Sequence, residues 1–238
     1  MTRLPKKRVV VLISGRGSNL GALIAAAADP NYPAEIAGVI SNRADAKGIE
    51  AATRHGVATR VIARPDFATH EAHSNAIEAA LRELRADIVC LAGYMRLISP
   101  ALVETWSGRM INIHPSLLPS FKGLDTQALA LAAGVRIHGC TVHFVTKEVD
   151  DGPIIAQAAV PVLAADTEAK LAARVLAAEH RLYPMALALV AQGKARLEAG
   201  RTVLAGIDSD SAAALFSPPL ALAADAVSDL ESLARFTP

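Results

Sequence analysis

The stretch V-V-V-L-I-S-G-R-G-S-N-L, Val9 to Leu20, decides the fold. Val9 to Ile13 is an unbroken β-branched and aliphatic run, the pattern of a strand covered on both faces in a parallel sheet. Two glycines in polar text follow at once. Beyond them Leu20, Leu23, Ile24, Ala27 and Ala28 recur at helical spacing. Strand, glycine loop and helix together make a phosphate cradle, because glycines admit an anion to the backbone and helix-start N–H groups point at it. The loop is neither G-x-x-x-x-G-K-[ST] nor G-x-G-x-x-G, so it specifies neither a nucleoside triphosphate nor a dinucleotide. A tight turn with Ser18 as N-cap explains part of it. Gly17, Ser18 and Asn19 exceed what a turn needs, and the balance favours an anion site.

Outward from this unit the alternation continues. Strands are predicted at Ala37–Ser41, Val57–Ile62, Asp87–Ala92 and Arg109–Ile113. Between them lie helices at about Asp45–Arg54, stopped by Gly56, at Thr69–Arg85, and a short one opened by Ser99-Pro100 as N-cap and first residue. The pattern predicts an α/β fold with a doubly wound, mostly parallel sheet and right-handed crossovers. After a helix at Asp125–Ala133 the pattern changes. Strands at Cys140–Thr146 and Ile154–Val162 flank Asp150-Asp151-Gly152, read as a hairpin turn. Asp166 then caps a long helix with Leu171, Val175, Ala178 and Leu182 as its buried stripe, Glu179 at the stripe's edge and Pro184 as a break or kink. The expected division is 1–108 as a phosphate-binding half, 109–200 as a second half, and 201–238 as a tail without clear period.

A second stretch carries candidate chemistry. In M-I-N-I-H-P-S-L-L-P, Met110 to Pro119, a strand stopped by Pro115 puts Asn112 and His114 on one face, since residues two apart share a face. An amide and an imidazole side by side suit a carbonyl: one donates to a developing oxyanion, the other moves a proton. The alternative, that both cap loop backbone, stands equally at this point. Parallel open sheets bind ligands at the strand carboxyl ends. The loops Ser14–Asn19, Gly93–Ile98 and His114–Gly123 leave at that edge, which implies a two-substrate cleft and group transfer. Asp150 is read as either a turn residue or the partner of an imidazole. His143 reads as a hydrogen-bonded structural residue, and His55, His70, His73, His138 and His180 as surface residues.

Composition narrows the classes. The 238 residues are 52% apolar, with 24 basic and 23 acidic side chains giving a net charge of +1. Such balance offers no case for nucleic acid or an anionic membrane. No run reaches the ~20 apolar residues of a membrane span. Val9–Ile13 is too short for a signal peptide. Cys90 and Cys140 do not suggest a disulfide framework, and no spacing suggests a metal site. The expectation is a soluble cytoplasmic protein acting on small molecules, with a homodimer left open.

From Val9 to Gln192 the chain closely resembles the folate-dependent formyltransferases, most of all the phosphoribosylglycinamide (GAR) formyltransferase family of purine biosynthesis. The resemblance rests on four motifs in order: V-V-V-L-I-S-G-R-G-S-N-L, L-A-G-Y-M-R-L-I-S-P, I-N-I-H-P-S-L-L-P and H-G-C-T-V-H-F-V-T-K-E-V-D-D-G-P-I-I. Methionyl-tRNA formyltransferase and formyltetrahydrofolate hydrolase share the Asn, His and Asp trio; the Gly-Ser-Asn loop points to the GAR enzymes. The resemblance implies a Rossmann-like formyltransferase fold, with a C-terminal β-hairpin and long helix, and 10-formyltetrahydrofolate as co-substrate. It implies Asn112, His114 and Asp150 as catalytic residues, Gly17, Ser18 and Asn19 on the phosphate of 5-phosphoribosyl-glycinamide, and Glu179 at the ribose. It assigns the folate to His70, Met95, Arg96, Leu97, Ile98, Asn112, Glu148, Val149 and Asp150, and makes 109–200 the catalytic and folate-binding half. Direct attack of the amine on the formyl carbon is implied, with neither a metal nor a covalent enzyme intermediate. The chain departs from relatives at Gln127, where many carry His, and at His70, where some carry Arg. The hydrolase, which needs no phosphate loop, and a regulatory binder without turnover are the competing readings.

Overall fold

The computed structural model describes residues 5–206. The alternation becomes β1 (Lys7–Ile13), α1 (Ser18–Ala27), β2 (Ala34–Ser41), α2 (Lys47–Arg54), β3 (Thr59–Val61), α3 (His70–Glu83), β4 (Ile88–Leu91), α4 (Pro100–Thr105) and β5 (Met110–His114). Then follow α5 (Thr126–Ala132), β6 (Ile137–Phe144), β7 (Ile154–Pro161), α6 (Glu168–Ala191), β8 (Ala195–Glu198) and β9 (Arg201–Leu204). Seven strands form one sheet in the order β3-β2-β1-β4-β5-β6-β7, and β8-β9 make a separate hairpin. The first five strands pair in parallel, while β6 and β7 are antiparallel additions. One sheet therefore runs across the division expected at 108/109.

The continuous apolar run in β1 has a direct cause. Val9, Val11 and Ile13 face one core with α1 and α6, whereas Val10 and Leu12 face the other with α3 and α4. Both faces are covered, so alternation is lost. Ser99 caps α4 as expected, accepting from Leu102 N, and Gly56 holds φ 70 after α2. Tyr183 on α6 is fully buried, its hydroxyl 3.0 Å from Leu91 O and 3.2 Å from Ile111 O. That bond ties the long helix to the two central strands beside the site.

Several expectations are corrected. Ser18 does not cap α1: Gly17 holds the cap position at φ 72 with no side-chain cap bond. Asp166 does not cap α6, because it is committed to Leu163 N and Arg174; Thr167 accepts from Lys170 N instead. Pro184 does not break α6. Leu182, Tyr183, Ala186 and Leu187 bury apolar surface on both sides of it, which outweighs the roughly 3 kcal/mol cost of an interior proline. His73 and His138 are buried, not at the surface. His73 bonds Ile62 O and meets Phe67 edge-on at the foot of α3. The strand expected at Val57–Ile62 shortens to β3 at the sheet edge. The boundary expected at residue 200 falls inside the β8–β9 hairpin, whose antiparallel register places Glu198 opposite Arg201. Most of the expected tail, 207–238, lies outside the described residues.

Candidate active site

The anion loop is built by backbone. Gly17 lies in the left-handed region, and a Cβ there would come within 2.7 Å of Gly48 Cα at the start of α2. Gly48 N donates to Gly15 O at 3.1 Å, which closes the loop against that helix. Only glycine fits both positions, by conformation at residue 17 and by close approach at both. Ser18 and Asn19 open α1, their backbone N–H groups unused by the helix. Asn19 is buried, and its Nδ2 donates to Glu179 Oε2 at 2.6 Å. Burial holds the Glu179 carboxyl above its ordinary range, against the opposing Asn19 amide. Among the described residues, Asn19 Oδ1 has no partner, nor has the buried Oδ1 of Asn42 just after β2.

Two loops meet beside this cradle. Ser14 N donates to Gly93 O at 3.1 Å and Met95 N donates to Ser14 Oγ at 2.8 Å, so the Gly93–Ile98 loop is tied to the end of β1. Arg96 lines a 330 Å³ cleft with the anion loop and also a 130 Å³ cleft on the other side. That second cleft takes its walls from Leu97, Ile98, Asn112, His143, Val149 and Asp150. Met95 and Leu97 are 65% and 69% exposed, unusual for large apolar side chains beside a cleft. Tyr94, also lining it, has its phenol pushed up to about 12 by burial. His70 is exposed and lines neither cleft. Its Nε2 meets Leu97 O at 2.9 Å, which makes it a brace for the loop.

The titratable cluster comes from β5, β6 and the following loop. His114, 4% exposed, presents Nδ1 to Asp150 Oδ2 at 3.3 Å and Nε2 to Phe121 O at 2.9 Å. Both ring nitrogens thus face acceptors, and an imidazolium donates to both. Asn112 lies opposite His143 across the β5–β6 ladder, with Nδ2 3.2 Å from His143 Nε2. His143 Nδ1 meets Phe144 O at 2.9 Å. In the neutral tautomer with hydrogen on Nδ1, His143 donates there and accepts from Asn112. Burial pushes the His143 pKa down, which favours that neutral form. The second N–H of the Asn112 amide is then free for an oxyanion. Asp150 also accepts from Gly123 N at 3.0 Å, so the His114–Gly123 loop and the Asp150 loop close on one another.

Asp150 does not reach this point from a strand end at the common edge. Because β6 is antiparallel, Phe144 lies opposite Ile111 near the start of β5, and residues 145–153 must fold back to bring the carboxylate to His114. The segment is a loop over 145–153, not the hairpin turn expected at Asp150-Asp151-Gly152. Asp150 itself carries the left-handed conformation (φ 51), which aspartate tolerates better than most residues. Gly152 is needed for another reason: a Cβ there would overlap Phe144 O. The structure brings together Asn112, His114 and Asp150, and Asn19 with Glu179. Glu148 is exposed on the loop and lines the second cleft, whereas Gln127 on α5 lines neither cleft. Sequence reasoning placed Ser14 and Phe121 within candidate loops without giving either a role, and it missed Asn42 and Gly48. Ser14 Oγ accepts from Met95 N and Gly48 N donates to Gly15 O, contacts between segments far apart in sequence that leave no local signal.

The family model described as "Formyl transferase" matches residues 7–187. The chain belongs to the formyl transferase family. Phosphoribosylglycinamide formyltransferase of Escherichia coli (strain K12) is 43% identical over 198 residues, 83% of this chain and 93% of that one. The trifunctional purine biosynthetic protein adenosine-3 of Homo sapiens is 52% identical over 192 residues, 81% of this chain but 19% of that protein. This formyl transferase chain therefore spans about a fifth of the trifunctional relative. The crystal structure of glycinamide ribonucleotide transformylase 1 from Symbiobacterium toebii superposes with a TM-score of 0.82 at 46% identity, covering 85% of this chain and 95% of that chain. Its fold class is thus the expected one. No helix among the described residues is long and apolar enough to cross a membrane.

Proposed function

We propose that the protein transfers the formyl group of 10-formyltetrahydrofolate to the amine of 5-phosphoribosyl-glycinamide, giving formylglycinamide ribonucleotide and tetrahydrofolate in purine biosynthesis. One observation carries the reading: a glycine-built cradle lines one cleft, and Asp150, 3.3 Å from the buried His114, lines an adjoining cleft that shares Arg96. Gly17, Ser18 and Asn19 hold the phosphate through backbone N–H groups at the start of α1. Glu179, fixed by Asn19, meets the ribose hydroxyls. The apolar walls of the second cleft, Leu97, Ile98 and Val149, with loop backbone on either side, suit the flat pterin and its edge of donors and acceptors. Arg96 completes that wall, Met95 borders it from the first cleft, His70 acts through Leu97, and Glu148 to Asp150 close the opposite side. Labour divides accordingly, with 1–108 supplying the phosphate site and the Met95–Ile98 wall and 109–200 the catalytic groups.

The amine attacks the formyl carbon, and negative charge gathers on the formyl oxygen. The free N–H of Asn112 and the positive charge of His114 stabilise it. Asp150 balances the imidazolium and takes the proton the amine must lose. As the tetrahedral centre collapses, the bond to N10 breaks and N10 receives that proton. The folate supplies the activated formyl group; every other contribution comes from this chain. The reading makes the protein a cytoplasmic enzyme of small molecules, with a homodimer as the assembly to test by sedimentation velocity. The decisive assay follows tetrahydrofolate formation with and without the phosphoribosyl amine. Product is expected only with the amine; equal release of formate without it overturns the transfer in favour of hydrolysis.

A further inference from the structure

The anion loop holds one charged side chain that nothing else in the described fold uses. Arg16 is exposed, stands between Gly15 and Gly17, and makes no hydrogen bond or ion pair among the described residues. Its backbone is nevertheless fixed from both sides. Gly48 N holds Gly15 O at 3.1 Å, and Gly17 lies against Gly48 with room for no side chain. The start of α2 thus clamps the loop at both flanks, and the side chain of Arg16 is what the clamp displays. It borders the 330 Å³ cleft beside the cradle, whose lining includes Arg16, Arg43 and Arg96 and no carboxylate. Arg43 is already paired with Asp45, at 2.9 and 2.7 Å. Arg96 forms the wall shared with the second cleft.

A second observation marks the cleft as a ligand site. Among the described residues, Asn42 lines it at 5% exposure with its Oδ1 buried and unpartnered, and Asn19 does so at 9% with its own Oδ1 unpartnered. Such acceptors are normally satisfied, and a sugar hydroxyl is a donor of the kind that would satisfy them. Next to a sugar, the cradle of N–H groups takes an anion, but its donors are neutral. A phosphate dianion placed there lacks a formal counter-charge unless a cation joins it. A guanidinium can pair with two phosphate oxygens at once, which a lysine or a backbone amide cannot do.

We propose that Arg16 determines specificity for the phosphorylated amine by folding over the cradle and pairing with the phosphate oxygens. This rests on the reading given under Proposed function. The test compares the full-length protein with Arg16→Gln and Arg16→Lys. The substrates are 5-phosphoribosyl-glycinamide and the corresponding riboside without phosphate, with inorganic phosphate as a competitive probe. Arg16→Gln is expected to raise the KM for the phosphorylated amine about tenfold, the loss of one charge-assisted contact. The KM for 10-formyltetrahydrofolate and kcat/KM for the riboside should not move. The inhibition constant of inorganic phosphate should rise by a similar factor, and Arg16→Lys should recover part of the loss. An unchanged KM for the phosphorylated amine, or an equal loss on the riboside, overturns the proposal. If the wild type fails to use the phosphorylated amine at all, the functional reading falls separately. Phosphate affinity of wild type against Arg16→Gln, measured by calorimetry, then decides the role of Arg16 alone: equal affinities reject it and weaker binding by the variant supports it.

Discussion

The two ends of the site are made in different ways. At the glycine loop the proposed ligand contacts are mainly main chain: Gly17, Ser18 and Asn19 offer N–H groups at the start of one helix, and Gly48 from α2 clamps the loop. At the β5–β6 end the proposed contacts are side chains, Asn112, His114 and Asp150, each oriented by a separate partner: His143, Phe121 O and Gly123 N. Backbone sites are set by local conformation and change little with pH. Side-chain sites are set by pairing between distant strands. Binding at one end and chemistry at the other should therefore respond differently to substitution.

The largest separation is expected at the chemistry end. His114→Ala and Asp150→Asn should each lower kcat about 10²–10⁴-fold, the range for lost proton-transfer groups, with KM values within a few fold. Near-normal turnover in both, measured under saturating substrates, would discard the mechanism. At the anion loop the opposite split is expected. Gly17→Ala forces a left-handed alanine, at about 1 kcal/mol, and a contact with Gly48 that must be relieved by moving the loop. Its KM for the phosphorylated amine should rise roughly tenfold or more, with the KM for the folate nearly constant in initial-rate measurements. A matched rise in both would show that the two ends are not separable.

A smaller effect should appear in stability against pH. His143 and His138 are buried, and burial lowers both pKa values in the folded state. Between the folded and the ordinary value near 6.5 the unfolded chain binds more protons, so stability is full above about 6.5 and is lost as pH falls through the folded values. Urea midpoints should drop accordingly, and His138→Phe, which keeps the edge contact with Phe121, should flatten part of the slope. The smallest effect tests the anion end again. Glu179 has a raised pKa, so its contribution is present below the ordinary carboxyl value and is lost as pH rises through the folded value. Glu179→Gln keeps the neutral shape and should remove that slope while changing urea midpoints at low pH only slightly. A persistent slope in the variant would assign it to another group.

Legibility followed the same divide. The β1 run, the Gly-Ser-Asn loop and the caps at Ser99 and Gly56 could be read directly, because each is dictated within a few residues. The shared face of Asn112 and His114 was likewise open to reading from strand periodicity. The partner of each was not. His143 is set opposite Asn112 by antiparallel register, and Asp150 returns to His114 only because its loop folds back from the far end of β6. Pro184 misleads for a related reason: a local breaking tendency is overridden by apolar packing along the whole of α6.

What the chain determined unaided is a parallel α/β core, an anion loop and a polar pair at a strand end, since strand period, glycine conformation and capping act over neighbours. What the tertiary structure alone decided is which groups meet: Asn19 with Glu179, Asn112 with His143, His114 with Asp150 and Phe121 O, and α2 with the loop that displays Arg16. Those contacts depend on register, loop return and close approach between segments far apart in sequence, and no local pattern encodes them.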